Sequence, residues 1–230
     1  MPTAPAAPVY APRRAPRAPD NPKGILLMLM GFFAFAAGDV QSKLLTADFH
    51  ALQIVWFRLL GLFLGVLVLL ALRGPTLLRT SNPRLQMARG AAAVGSAACF
   101  IFAIAHVPLA DAVAVTFIAP FVVTVLGALI LREPVGIRRW IAVAVGFIGM
   151  LIVIRPGLGV FHPAILLVVG AACLFALRQI LSRFLSGGDS VGTTVAYTSL
   201  TATTLATLML PFVWRTPETA TQIGLIIGLT

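Results

Sequence analysis

Four charged side chains stand inside stretches that are otherwise apolar: Asp39, Lys43, Arg58 and Arg178. A charge in hydrocarbon is costly, so each marks a place where the chain pairs its ions internally or offers them to a solute. Asp39 and Lys43 are four residues apart on one helical face, where they can neutralise each other or face a solute together. At a rise of about 1.5 Å per residue, Asp39 lies roughly 9 Å below one end of its helix. Arg58 lies at a similar depth in the next helix, so the two can pair across adjacent helices as a gate or a cavity wall. Near the opposite end Arg178 and Gln179 make a second polar step, about 10 Å in. The alternative for Arg178 is to snorkel toward anionic headgroups beside Arg183. Thr116 and Pro120 complete the set. A proline inside a helix removes one hydrogen bond and pushes away the carbonyl four residues back, here that of Thr116, exposing polar backbone to a cavity or leaving only a packing kink. The candidate substrate-binding or gating residues are therefore Asp39, Arg58, Lys43, Thr116, Pro120, Arg178 and Gln179.

Catalysis asks for other patterns. An intramembrane enzyme needs paired carboxylates, a metal-binding His set or a nucleophile beside a base. Asp39 is the one acid well inside an apolar run, and His50, His106 and His162 fall near separate helix ends, as proton sensors or as solvated loop residues. Glu133 next to Arg132 reads as a local ion pair, Cys99 and Cys173 as small packing residues, and Trp56 as an interfacial anchor. Nothing resembles a phosphate loop. The expectation is no catalytic residue, no metal and no cofactor.

The elements that hold these residues are long apolar runs near 24–45, 51–72, 90–107, 110–131, 139–154, 163–185 and 191–213, most of them close to the roughly 20 residues that cross a bilayer. An eighth run opens near Gln222 and is too short to span. Of the 230 residues, 59% are hydrophobic and 10% charged, with a mean hydropathy of +0.99. Too few polar residues remain to coat a water-soluble globule, so the partner of this surface is the lipid bilayer. The net charge of +10 does not signal nucleic acid, because the cations cluster between apolar runs instead of forming a basic face.

Those clusters alternate. Arg13, Arg14, Arg17 and Lys23 precede the first run; Arg73, Arg79, Arg84 and Arg89 separate the second from the third; Arg132, Arg138 and Arg139 follow the fourth; and Arg183 follows the sixth. The opposite connections hold only Arg155 and Arg215. The positive-inside rule then places the N-terminus in the cytoplasm and the chain in the cell (inner) membrane. Residues 1–22, rich in Pro, Ala and Arg, read as a disordered cytoplasmic tail; a signal peptide is the rival, with Ala34-Phe35-Ala36 resembling a cleavage site.

An internal repeat organises the runs. One constant offset carries Ile25-Leu26-Leu27 onto Ile165-Leu166-Leu167, Phe35-Ala36 onto Phe175-Ala176, Ser42 onto Ser182, Lys43 onto Arg183 and Val55 onto Val195. It also sets Arg178 and Gln179 where Gly38 and Asp39 stand. The repeated unit has five crossings, and an odd number forces the second copy to thread the membrane in the opposite sense, an arrangement that suits a site opened first to one side and then to the other. Small residues, Gly61 with Gly65 and Gly146 with Gly149, permit close helix contact.

The motifs Gln53-Ile54-Val55-Trp56-Phe57-Arg58, Pro108-Leu109-Ala110-Asp111-Ala112, Ala119-Pro120-Phe121, Leu131-Arg132-Glu133-Pro134, and Arg138-Arg139-Trp140 through Ile154-Arg155-Pro156-Gly157 resemble the EamA-type branch of the drug/metabolite transporter superfamily. The resemblance covers residues 24–230. It implies an all-α polytopic membrane protein, an inverted repeat of five-helix bundles with about ten helices when complete, and secondary transport of small organic metabolites. Seven helices and a partial eighth are present here, so 23–157 is expected to be the first repeat and 158–230 an incomplete second. A half-transporter that pairs with another chain, as a homodimer for instance, and a non-transporting fragment are the competing expectations.

Overall fold

The computed structural model describes residues 21–130, 136–154, 162–185 and 187–230. The expected tail through residue 20, the Arg132 and Glu133 pair, and Arg155 lie outside them.

Among the described residues there are helices and no strands: α1 (Asn21–Leu45), α2 (Ala51–Arg73), α3 (Pro83–His106), α4 (Leu109–Thr116), α5 (Ala119–Ile130), α6 (Ile137–Ile154), α7 (Ile165–Leu185), α8 (Val191–Met209) and α9 (Ala220–Leu229). Among the described residues six spans are long and apolar enough to cross a membrane, α4 and α5 together forming one of them. The 18 residues of α6 reach about 27 Å, close to the thickness of the hydrocarbon core. This is an all-α, multi-pass membrane protein. The 10 residues of α9 fall short of a span, as its apolar run foretells.

Local chemistry sets most of the boundaries. Ser190 accepts from the Thr193 N–H at 3.0 Å to start α8, and Thr219 with Gln222 forms a capping box on α9. The third helix begins at Pro83 instead of residue 90, a correction that lengthens it by two turns. The fourth run is broken rather than merely bent. Pro120 offers no N–H and its ring crowds the Thr116 carbonyl, so the Phe117 and Ile118 amides bond only three residues back, to Ala114 and Val115.

The chain divides after Ala36 into two units. In the first, α1 exposes Leu27 and Phe33 together with most of its other apolar side chains, as lipid-facing helix does. In the second, running from Ala37 to Thr230, α3 lies against α7 and α8, α2 against α8, and α5 against α7. Gly90 sets the α3–α8 distance: a Cβ there would stand 2.7 Å from the Thr201 Cβ. Gly61 similarly admits the Thr230 carbonyl, which a Cβ would meet at 1.6 Å. A Cβ on Gly65, Gly146 or Gly149 would meet nothing within 4 Å, so these are not packing glycines among the described residues.

Two connections meet at each end of this second unit. At one end, Thr80 donates to the Asp189 carboxylate at 2.6 Å, Gln86 Nε2 donates to the same oxygen at 2.8 Å, and the Tyr197 hydroxyl donates to the Leu78 carbonyl at 3.1 Å. The α2–α3 and α7–α8 connections therefore share an end. At the other, Arg215 Nη1 donates to the Asp48 carbonyl at 3.0 Å and Gln222 Nε2 to the Asp48 carboxylate at 3.0 Å, bringing the α1–α2 and α8–α9 connections together.

Candidate functional site

The Asp48 end carries the first charged cluster. Arg58 Nη1 on α2 donates to Asp39 Oδ1 on α1 at 2.7 Å, across adjacent helices. Asp39 is buried and Arg58 half-buried. The guanidinium and the carboxylate compensate each other here, and removing either partner would strand the other in an apolar interior. Gly38 leaves room beside the pair, its open Cβ position lying 4.0 Å from Arg58 Nη2 and 3.6 Å from Leu229 Cδ1.

Lys43 does not neutralise Asp39 in this arrangement. Its ammonium donates to the carbonyls of Ile104 and of Val107, the latter at 3.1 Å, at the C-terminal end of α3. The Ile104 carbonyl, in the last turn, has no partner within the helix and lies at the negative end of its dipole, and Val107 is the C-cap, so a cation is the natural cap there. Gln53 closes the same end by two hydrogen bonds to the Arg215 backbone, donating at 2.6 Å and accepting at 2.9 Å. Trp56 donates from Nε1 to Thr207 Oγ1 at 2.9 Å and meets Trp214 edge-on, which ties α2 to α8. His106 and His162, far apart in sequence, stack with ring centroids 5.9 Å apart.

Toward the Asp189 end lies a second cluster. The guanidinium carbon of Arg178 sits 5.0 Å from the Phe175 ring centroid on the same helix. Gln179 lines a cavity of about 260 Å³ with Val123, Ser182 and Arg183. Thr116 and Pro120 do not join either cluster. The Thr116 hydroxyl donates to the Val113 carbonyl of its own helix at 2.6 Å, and Pro120 is exposed.

Arg89 is the residue the sequence reading left in a connection. It belongs to α3, where Nε donates to Ser182 Oγ at 2.7 Å and Nη1 donates to Thr198 Oγ1. The signal was present: Asn82-Pro83 is a helix start, with proline in the first turn where its missing N–H costs nothing, and counting from there puts Arg89 nearly two turns inside. The polar face of α8 was also overlooked. Thr193, Thr198, Ser199 and Thr203 are buried, and Ser199 Oγ and Thr203 Oγ1 have no hydrogen-bond partner among the described residues. Outside the spans, Asp189 is held below the usual carboxylate range by the Thr80 hydroxyl and then by the Gln86 amide.

Fold and site together define a multi-pass helical membrane protein with paired and clustered charges inside its bundle. The chain belongs to the EamA-like transporter family, whose model matches residues 22–155. It is 26% identical over 195 residues to the S-adenosylmethionine uptake transporter of Rickettsia prowazekii (strain Madrid E), covering 85% of this chain and 66% of that one. It is 35% identical over 152 residues to the riboflavin transporter of Vibrio cholerae serotype O1, covering 66% and 51%. To the pseudopaline exporter CntI of Pseudomonas aeruginosa it is 29% identical over 211 residues, covering 90% and 72%. The match thus spans about two thirds of the length of the S-adenosylmethionine transporters. No solved structure matches the chain.

Proposed function

We propose that the protein is a secondary transporter, a permease or exporter, of small organic metabolites, working by alternating access in the inner membrane with its N-terminus cytoplasmic. It is a carrier and not an enzyme. The three relatives are named for chemically unlike molecules of metabolite size, and for both uptake and export, so the reading extends to the class of solute and no further.

One observation carries the mechanism. The offset that relates the repeats turns Gly90 into Thr230 and Gly61 into Thr201, and the tight contacts are Gly90 against Thr201 and Gly61 against Thr230. The same two positions meet twice with the halves exchanging roles, Gly90 against the Thr201 side chain and Gly61 against the Thr230 backbone carbonyl. Ser42 donating to the Gly38 carbonyl at 2.7 Å has its counterpart in Ser182 donating to the Arg178 carbonyl at 2.8 Å. Such exchange supports reading 23–157 and 158–230 as oppositely threaded repeats, which can trade conformations to expose one site to alternate sides. In this scheme the Asp39–Arg58 pair gates one end, while Arg178 and Gln179 stand at the other.

Reconstitution into liposomes tests the proposal, with flux measured for a panel including S-adenosylmethionine, riboflavin and pseudopaline. Saturable flux that is lost in both Asp39→Ala and Arg58→Ala is expected. Flux no greater than that of empty liposomes across the panel would reject the transporter reading.

A further inference from the structure

The second charged cluster holds the cations Arg89 and Arg178, together with Arg183, which lines the neighbouring cavity. Arg89 comes from α3 and Arg178 from α7, and Ser182 links them, accepting from Arg89 Nε at 2.7 Å and donating to the Arg178 carbonyl at 2.8 Å. Among the described residues Arg89 is met by neutral oxygens: Ser182 Oγ at 2.7 Å, Thr198 Oγ1, and the Thr194 carbonyl at 3.5 Å. Arg178 leans on the Phe175 ring. Neither forms an ion pair among the described residues, where the pair of Arg58 with Asp39 is made instead at the far end. Asp189, at the near end of α8, spends its carboxylate on Thr80 and Gln86.

Two half-buried guanidinium groups of like charge are an unfavourable arrangement in a membrane interior unless something negative joins them. A fork of N–H donors fits the oxygens of a carboxylate or a phosphate, and bidentate pairing to either is stronger than bonds to neutral acceptors. Space is at hand. Ser182, which holds Arg89 Nε, also lines the cavity of about 260 Å³ with Val123, Arg183 and Gln179, whose amide can serve as a further donor.

We propose that Arg89 and Arg178, with Ser182 and Gln179 beside them, form a binding site for the carboxylate or phosphate group of a solute. The site lies at the end of the bundle where the α2–α3 and α7–α8 connections meet. The assignment rests on the transporter reading and narrows it: the solute carries a negative group, and the two arginines grip it one helix apart. An incoming anion would take over the Arg89 donors now held by Ser182 and Thr198.

The test is binding, so it does not depend on flux. The purified protein in a neutral detergent is titrated at constant ionic strength with inorganic phosphate and, separately, with succinate, and thermal unfolding is followed. Both anions are expected to raise the unfolding temperature. Arg89→Gln and Arg178→Gln are expected to weaken the apparent affinity about tenfold or more, and Arg84→Gln, on the exposed side of the same helix, to leave it unchanged. Should the glutamine variants not fold, the wild-type protein gives the answer. Phenylglyoxal modification of Arg89 and Arg178, followed by peptide mass spectrometry, should be suppressed by phosphate. No shift with either anion and no protection would overturn the site. Stabilisation by micelles containing phosphatidylglycerol, with none from phosphate or succinate, would assign the arginines to a lipid headgroup and likewise overturn it. Binding without flux would leave the anion site standing and remove the transporter reading; flux with unchanged affinity in both variants would do the reverse.

Discussion

Arg58 reaches Asp39 across the α1–α2 interface at 2.7 Å, and it does so although Lys43 lies one turn from Asp39 on the same helix. The lysine is drawn instead to the open carbonyl end of α3. Each cation is thereby matched to a different kind of negative charge, one a carboxylate and the other the end of a helix dipole.

Truncating either member of the ion pair should therefore destabilise the protein by about 2 to 3 kcal/mol, somewhat less than a fully buried pair because Arg58 keeps partial exposure. In thermal unfolding, Asp39→Ala combined with Arg58→Ala should cost clearly less than the two singles added together. Additive losses would mean that the two charges act independently.

Lys43 separates a structural from a solute-facing role. Lys43→Met should lower stability by about 1 to 2 kcal/mol through loss of the α3 cap, while leaving the KM for any transported solute within about twofold. A raised KM with unchanged unfolding temperature would return Lys43 to the solute site.

Gly90→Ala introduces a methyl group 2.7 Å from the Thr201 Cβ, and α3 and α8 must part to accept it. A loss of about 1 to 3 kcal/mol is expected. Gly146→Ala, in open space, should fall within about 0.5 kcal/mol of wild type. Equal effects of the two in an unfolding assay would contradict the observed packing.

Asp189 should make part of the stability depend on acid. Its carboxyl is held below the ordinary 3.8 by hydrogen bonds, so the folded state favours the ionised form more than the unfolded state does. Its contribution is complete above that ordinary value and is lost as the pH falls through the lower folded value. Between about pH 6 and about pH 3 the unfolding temperature of Asp189→Asn should fall less than that of the wild type. Parallel curves would show that the hydrogen bonds of Asp189 contribute nothing to the fold.

The meeting of the two connections can be trapped. A Cβ on Gly188 would lie 3.5 Å from Ser81 Oγ, so Ser81→Cys with Gly188→Cys, in a background with Cys99 and Cys173 replaced, should form a disulfide under mild oxidant. Impermeant thiol reagents should reach both only from the cytoplasmic face. Labelling from opposite faces would refute the inverted repeat.

The repeated crossing of the membrane, the approximate limits of most helices and a disturbance at Pro120 were legible in the sequence. Apolar run length and the missing proline N–H are local properties that no distant residue can change. The sequence also brought Asp39 and Arg58 within reach of each other, since equal depth in consecutive helices is a matter of counting. It did not choose between Arg58 and Lys43 as the partner of Asp39, it left Arg89 in a connection, and it gave no hint that His106 would stack on His162. Those outcomes depend on which helix faces meet. In a bundle where most side chains are apolar, many facings bury similar surface, and the choice among them falls to a few close contacts such as Gly90 on Thr201 and to the need of each charge for a partner.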